Sequence, residues 1–214
     1  MKKDVLVFDF DGTIADTFQS ILDISNRLSK QFKYKMLKPD EAESLKDKTL
    51  KETLDHLRVP ILQLPLILLK ARNELHKEIA SIQPINGLKE ILIQLKEFGF
   101  EMGIISSNSR KNVRRFLKIN NLDLFDFIST SSKLWGKNRC IKKTLKMNSI
   151  NNQDVVYIGD EIRDIVAAKK AGVRVAAVTW GYNSSKALKE QEPDYVVNNP
   201  KELIALFVDS LLPA

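Results

Sequence analysis

The run Val5-Leu6-Val7-Phe8-Asp9-Phe10-Asp11-Gly12-Thr13 decides the fold. Its first half is apolar without alternation, the pattern of a strand over 5–10 that is buried on both faces, as in a parallel sheet covered by helices on either side. It ends on two carboxylates separated by one phenylalanine. Taken alone, Asp11-Gly12 is a common hairpin turn. A hairpin would lead into an alternating strand, whereas the chain from Ile14 onward carries a helical pattern, with Asp16 placed to cap that helix.

Working outward, apolar runs over 102–106, 126–129, 155–158 and 173–178 read as further strands, each followed by helical periodicity. The helical stretches fall at 88–98, 111–117, 138–147, 162–171 and 200–211, with Gly99, Gly159, Gly172 and Gly181 at boundaries. This alternation predicts an α/β chain with a Rossmann-like, three-layer core around a mainly parallel sheet. One interval departs from it. Residues 15–83 show helical faces marked by Leu22, Leu28, Phe32, Leu50, Leu54 and Leu57, loops near Pro39 and Pro60, and no convincing strand. The expectation is a core of residues 1–14 and 84–214 with an all-helical cap inserted at 15–83, Pro84 and Gly87 marking the return.

Composition narrows the classes. A chain of 214 residues with 43% hydrophobic content can bury a real core. Cys140 is the single cysteine, so there is no internal disulfide, which fits a reducing cytoplasm, and its helical spacing with Thr144 and Leu145 predicts a buried structural thiol. Met1-Lys2-Lys3 starts like a signal peptide, but the apolar run that follows is too short and meets two aspartates. The apolar run over 61–69 is broken by Gln63 and Pro65, so no membrane span is expected. The net charge of +7 is spread along the chain, and the basic stretch 137–146 lacks interleaved aromatics. That argues against nucleic acid and for a solvated basic surface favouring a small anionic substrate.

In an open parallel sheet, ligands bind beyond the carboxyl ends of the strands. Asp9 and Asp11 end the first strand, Ser107 and Asn108 the second, and Gly159-Asp160 the run 155–158, while Lys137 follows Gly136 at a helix start. Carboxylates from distant strands are hard oxygen ligands suited to Mg²⁺. A hydroxyl, an ammonium and backbone N–H groups can hold phosphate oxygens. One carboxylate can act as nucleophile and another can transfer protons. Plainer roles exist for several of these residues. Ser107, Asn108 and Ser109 can cap the next helix, Asp160 can be an N-cap with Asp164 answering the helix dipole, and Lys137 is one of many lysines. His56 and His76 read as surface residues of the insertion. Lys46 and Lys48 either face the site from the cap or lie in a solvated loop.

The motif Asp9-Phe10-Asp11-Gly12-Thr13, the Ser107-Asn108 pair, Lys137, and Gly159-Asp160-Glu161-Ile162-Arg163-Asp164 together resemble, in order and spacing, the four motifs of the haloacid dehalogenase-like hydrolase superfamily. The phosphoglycolate phosphatase-like branch, with a helical cap after the first motif and a stretch similar to Val178-Thr179-Trp180-Gly181-Tyr182, is the nearest match. The resemblance implies that Asp9 is the nucleophile and that Asp11 protonates the leaving oxygen, then activates water. It implies Mg²⁺ held by the Asp9 side chain, the Asp11 carbonyl and Asp160, with Asp164 orienting metal-bound water or Lys137. Ser107, Asn108 and Lys137 correspond to phosphate-binding positions, and the substrate would be a small phosphorylated metabolite such as phosphoglycolate. Two departures stand: Asn138 follows Lys137 where the branch usually has proline, and Glu161 has no assigned role. A sugar phosphomutase shares the four motifs. Dehalogenating and phosphonate-cleaving relatives lack an acid at the Asp11 position. A phospho-accepting receiver module puts its acceptor on a middle strand and has no such insertion, and nucleotide kinases need a phosphate-binding loop missing here.

Overall fold

Strand β1 (Val5–Phe8) is followed by four helices, α1 (Phe18–Phe32), α2 (Pro39–Leu45), α3 (Leu50–His56) and α4 (Leu64–Glu78), before α5 (Leu88–Glu97) and β2 (Glu101–Ser106). Then come α6 (Arg110–Ile119), β3 (Phe127–Thr130), α7 (Lys137–Met147), β4 (Val155–Gly159), α8 (Ile162–Ala171), β5 (Arg174–Val178), α9 (Ser185–Lys189), β6 (Tyr195–Val197) and α10 (Glu202–Phe207). The computed structural model describes residues 3–131 and 135–208, with positions 39 and 40 described by backbone alone. The last part of the helix expected over 200–211, positions 209–211, lies outside the described residues.

The six strands of the described residues are all parallel, in the order β3-β2-β1-β4-β5-β6. Alternation along each strand sends side chains to two dry faces. Leu6 and Phe8 join Ile104, Ile158 and Val178 on one face, while Val5 and Val7 join Tyr157, Val175 and Ala177 on the other. Helices α5, α6 and α10 cover the first face through Leu92, Phe116 and Leu203. Helices α7, α8 and α9 cover the second through Ile141, Ile165 and Leu188. This is the three-layer α/β arrangement expected, and burying each such aliphatic side chain contributes about 1.5–3 kcal/mol. Cys140 is only half-buried, at the margin of the second face, because its helical position looks between the core and solvent.

Three details differ from the sequence reading. β1 ends at Phe8 rather than Phe10, although the Asp9 N–H still donates to the Ile158 carbonyl at 2.8 Å. The next residues then curl into a tight turn in which the Ile14 and Ala15 N–H groups both reach the Phe10 carbonyl. Helix α1 therefore starts at Phe18 with Thr17 as its N-cap, and Asp16 is exposed and caps nothing. The short β6 and α9 were not anticipated.

The chain leaves and re-enters the sheet region through two adjacent segments. The Asp16 N–H donates to the Gln83 carbonyl at 3.0 Å and the Ile85 N–H to the Ile14 carbonyl at 2.9 Å. Between these crossing points every regular element of the described residues is helical. None of the described helices is long and apolar enough to cross a membrane.

Candidate active site

Sheet order explains the convergence. β1 is central, flanked by β2 and β4, so the loops following all three open at one edge, where ligands of parallel sheets bind. Asp9 leaves β1 into that edge with its carboxylate buried at 1% exposure. Its Oδ2 lies 2.7 Å from the Lys137 ammonium, yet neither oxygen completes a hydrogen bond among the described residues. Burial pushes the Asp9 carboxyl up to about 7; Lys137 pulls it down and Asp164 adds repulsion.

Asp160 and Asp164, both fully buried, complete a cluster with Asp9 in which one oxygen from each lies within 4.8 Å of the others. Asp160 is fixed at both oxygens. Oδ1 accepts from the Thr13 hydroxyl at 2.5 Å and Oδ2 from the Tyr182 N–H at 2.8 Å. Asp164 accepts from Lys137 at 2.5 Å through Oδ1 and from the Glu161 N–H through Oδ2, which also caps α8. Lys137, first residue of α7, thus bridges two carboxylates and stacks over the Tyr157 ring at 5.3 Å. Burial alone would depress the pKa of Lys137, but Asp164 and Asp9 outweigh it and drive it well up, so the ammonium is permanently charged.

Three buried carboxylates face the bridging Lys137 ammonium, with the Arg163 guanidinium close enough to act on Asp9 and Asp164 but itself held by Glu161, and among the described residues the Asp9 oxygens are left without hydrogen bonds. A hard divalent cation answers both deficits, since Mg²⁺ takes a few carboxylate oxygens and keeps water or phosphate oxygens in its other positions. Asp9 and Asp160 are side chains placed to hold it; Asp164 lies in the same cluster, with Oδ1 engaged by Lys137 and Oδ2 by the Glu161 N–H.

Asp11 is turned away from this cluster. Its carboxylate receives both contacts of the Asn108 amide nitrogen, at 2.9 and 3.1 Å. Burial pushes the carboxyl up to about 6, with the Asn108 donor partly offsetting the shift. The Asn108 amide, read in the sequence as a phosphate contact, donates to Asp11 here. Its oxygen is held in turn by the Ser109 N–H at 2.7 Å and the Asn112 amide at 2.9 Å. Asn112 also meets Nδ1 of His76 at 2.7 Å, so His76 is tied to the core rather than free on the surface. Ser107 is half-buried at the same edge, its carbonyl accepting from Arg72 of α4 at 3.0 Å.

Further residues complete the site, among them Thr17 and Asn183, which the sequence did not single out. The loop after β5 wraps the β1 loop: the Trp180 ring N–H donates to the Thr13 carbonyl and the Tyr182 hydroxyl meets Thr17. Asn183 accepts the Ile162 N–H and donates to the carbonyls of Lys46 and Lys48, tying the α2–α3 loop to the site. Those two lysines border the cavity above the strand ends, although Lys48 itself is exposed. Glu161 holds the Arg163 guanidinium at 2.5 Å, while Nε and Nη1 of Arg163 are buried without hydrogen bonds among the described residues.

Gly12 shows how tight the assembly is. Its φ is +76°, and a Cβ there would stand 2.3 Å from Asp160 Oδ2 and 2.4 Å from the Tyr182 ring. Gly181 approaches Asp160 from the other side, at 2.1 Å by the same construction. Gly12→Ala should therefore cost about 3 kcal/mol or more in urea denaturation, from backbone strain plus the displacement of Asp160. An unchanged urea midpoint would show that the loop has room it lacks here.

The haloacid dehalogenase-like hydrolase family model matches residues 6–178. Among curated proteins, a phosphoglycolate phosphatase of Synechococcus elongatus is 28% identical over 93% of this chain and 94% of its own length. A pyrophosphatase, PpaX, of Bacillus mycoides is 26% identical over 96% and 97%. Among solved structures, a haloacid dehalogenase-like family hydrolase of Streptococcus pneumoniae superposes with a TM-score of 0.80 at 22% identity, covering 96% of this chain and 98% of that one. CbbY of Rhodobacter sphaeroides, solved in complex with phosphate, gives 0.73 at 18% identity, covering 94% and 96%. At these identities the structures establish the fold.

Proposed function

Because the chain belongs to the haloacid dehalogenase-like hydrolase family, we propose that it is a Mg²⁺-dependent phosphatase that cleaves a phosphate monoester of a small metabolite through an aspartyl-phosphate. The observation that carries this reading is the carboxylate of Asp9, buried and without hydrogen bonds beside Lys137, Asp160 and Asp164. Asp9 attacks phosphorus and the bond to the leaving oxygen breaks. Asp11, held by Asn108 and kept partly protonated near neutrality by burial, delivers its proton to that oxygen. The same carboxylate then takes a proton from the water that attacks the aspartyl-phosphate at phosphorus, which breaks the bond to the Asp9 oxygen, releases inorganic phosphate and restores the Asp9 carboxylate. Lys137 and Ser107, with nearby backbone N–H groups, hold the phosphoryl oxygens as charge develops. Bound Mg²⁺ would neutralise the phosphoryl charge and polarise phosphorus. Phosphoglycolate and pyrophosphate, named in the relatives, head the substrate panel.

The test is release of phosphate from an aryl phosphate in Mg²⁺, with loss of release in chelator; full activity in chelator would overturn the metal assignment. Binding should also appear as stability. At one hundred times its Kd the ion should add about 2.7 kcal/mol, or roughly 5–10 °C in Tm for a chain of this size. The sign of the pH dependence follows from Asp9. Its folded carboxyl binds a proton more tightly than the unfolded one, so the metal-free chain loses stability as pH rises from about 4 to about 7. The thermal gain from Mg²⁺ should accordingly be larger at pH 8 than at pH 5. An equal gain at both values would contradict this.

A further inference from the structure

A cavity of about 310 Å³ runs from the catalytic edge into the helical insertion. Its mouth is polar, formed by Asp11, Ser107, Asn108, Glu161 and Arg163. Its interior is not. Helix α1 contributes Leu22 and Leu28, α3 contributes Leu50 and Leu54, and α4 contributes Leu68 and Ala71. The polar side chains at the deep end are Ser25, Tyr34 and Thr53, and the Tyr34 hydroxyl is already spent on the Ser25 carbonyl at 2.7 Å.

The aliphatic walls are incompletely covered. Leu28, Leu64 and Ile67 are buried, whereas Leu22, Leu54 and Leu68, on the same cavity, are only half-buried. Close packing is the rule in protein interiors, and an aliphatic wall facing a void gives up contacts on that side. A helical insertion that keeps such a void open toward an acid-bearing edge has the form of a ligand site: apolar lining with a few placed polar groups at one end.

Charge on the cavity comes from its catalytic edge and from the loop above it: Arg163 is held by Glu161, Arg72 donates to the Ser107 carbonyl, and Lys46, paired with Glu43 at 3.0 Å, and Lys48 border the same space. Helices α1 and α3 bring no charged side chain to it among the described residues, so the part of a substrate that reaches them meets leucines.

We infer that this cavity receives the leaving group of the substrate, and that the substrate is a phosphate monoester of an uncharged, largely apolar alcohol. This rests on the phosphatase reading and narrows its leaving group to one whose chain fills the leucine-lined part of the cavity. Asp11 stands where the two regions meet, so an ester oxygen beside it has the phosphoryl group toward Asp9 and the carbon chain toward the leucines.

The experiment is a series of ethyl, butyl, hexyl and octyl phosphate, with phosphoglycolate, pyrophosphate and an aryl phosphate alongside, all in Mg²⁺. If the chain is buried in the transition state, kcat/KM should rise about fourfold per added methylene until the cavity is full. It should exceed the value for phosphoglycolate. Ala71→Phe projects a ring into the void and should collapse the hexyl-to-ethyl ratio. Leu54→Phe gives a second version of the same test should the first fail to fold. A flat series, or phosphoglycolate preferred over every alkyl ester, overturns the inference and leaves the phosphatase reading standing. Absence of release from every ester, the aryl phosphate included, overturns both.

Discussion

Asp9→Asn is expected to lower phosphate release by about 10⁴-fold or more while leaving the chain folded and at least as stable as the parent without metal. The catalytic loss follows from replacing the attacking carboxylate with an amide that cannot form the aspartyl-phosphate. The stability outcome follows from the burial of Asp9 without hydrogen bonds and from its raised pKa. Above about pH 7 the folded parent carries a desolvated charge there, and the amide does not. Lys137 loses one partner in the variant but keeps Asp164 at 2.5 Å. Thermal melts in chelator at pH 8 give the second readout, and the advantage of the variant should shrink as pH falls toward 5. Retained turnover would remove Asp9 from the role of nucleophile. A destabilised variant at pH 8 would mean that the Asp9–Lys137 contact outweighs the cost of burying the charge.

Lys137→Met should be the most damaging single change to stability at the site. It leaves Asp9 and Asp164 facing each other across an apolar methionine, and removing one member of a buried ion pair costs about 3–5 kcal/mol. Activity should fall about 10²–10³-fold beyond the effect of unfolding, as when one charged donor to a reacting oxygen is lost. The double variant Lys137→Met with Asp164→Asn separates the two effects. The amide oxygen can still accept the Glu161 N–H that caps α8, and one unpaired charge is gone. Stability should therefore return in part while turnover stays low. Urea midpoints for the four proteins of this cycle give the coupling directly. Additive losses would show that the bridge contributes nothing beyond its parts.

The parallel core was legible because its strands are buried on both faces, which leaves uninterrupted apolar runs such as 155–158. β6 was not, since Tyr195-Val196-Val197 is too short to show a period and gains its place by pairing with β5. Asp9, Asp11, Ser107, Lys137 and Asp160 could be gathered because each follows a strand or opens a helix at the same edge. Their division of labour was less visible. Asp164 accepts from Lys137, one of the two roles expected of it, and lies in the carboxylate cluster as well, while Asn108 donates to Asp11, because side-chain direction is set by packing that no spacing encodes. Asn112 and Asn183 had no signal beyond being polar residues beside a helix start or loop. Gly181 did carry one: a glycine next to Trp180 and Tyr182 marks a backbone that something must approach closely. The cavity was hidden for a different reason. Leu22, Leu54 and Leu68 have the periodicity of core residues, and only the relative placement of the helices leaves them facing a void.

The central position of β1 has a consequence for how the molecule comes into being. Val5 pairs with Glu101 on one side and Val155 on the other, so β1 meets its first partner when about half of these 214 residues exist and its second only when about three-quarters do. Meanwhile the helices between 18 and 78 have local contacts and can form early, whereas closure of the sheet waits on long-range pairing. A nascent chain therefore carries an apolar strand with both edges open until β2 is made and one edge open until β4 is, a form prone to association with other chains. The catalytic edge, drawn from β1, β2, α7, β4 and the loop after β5, is among the last features to be completed, and hydrolytic activity is a late and stringent reporter of folding.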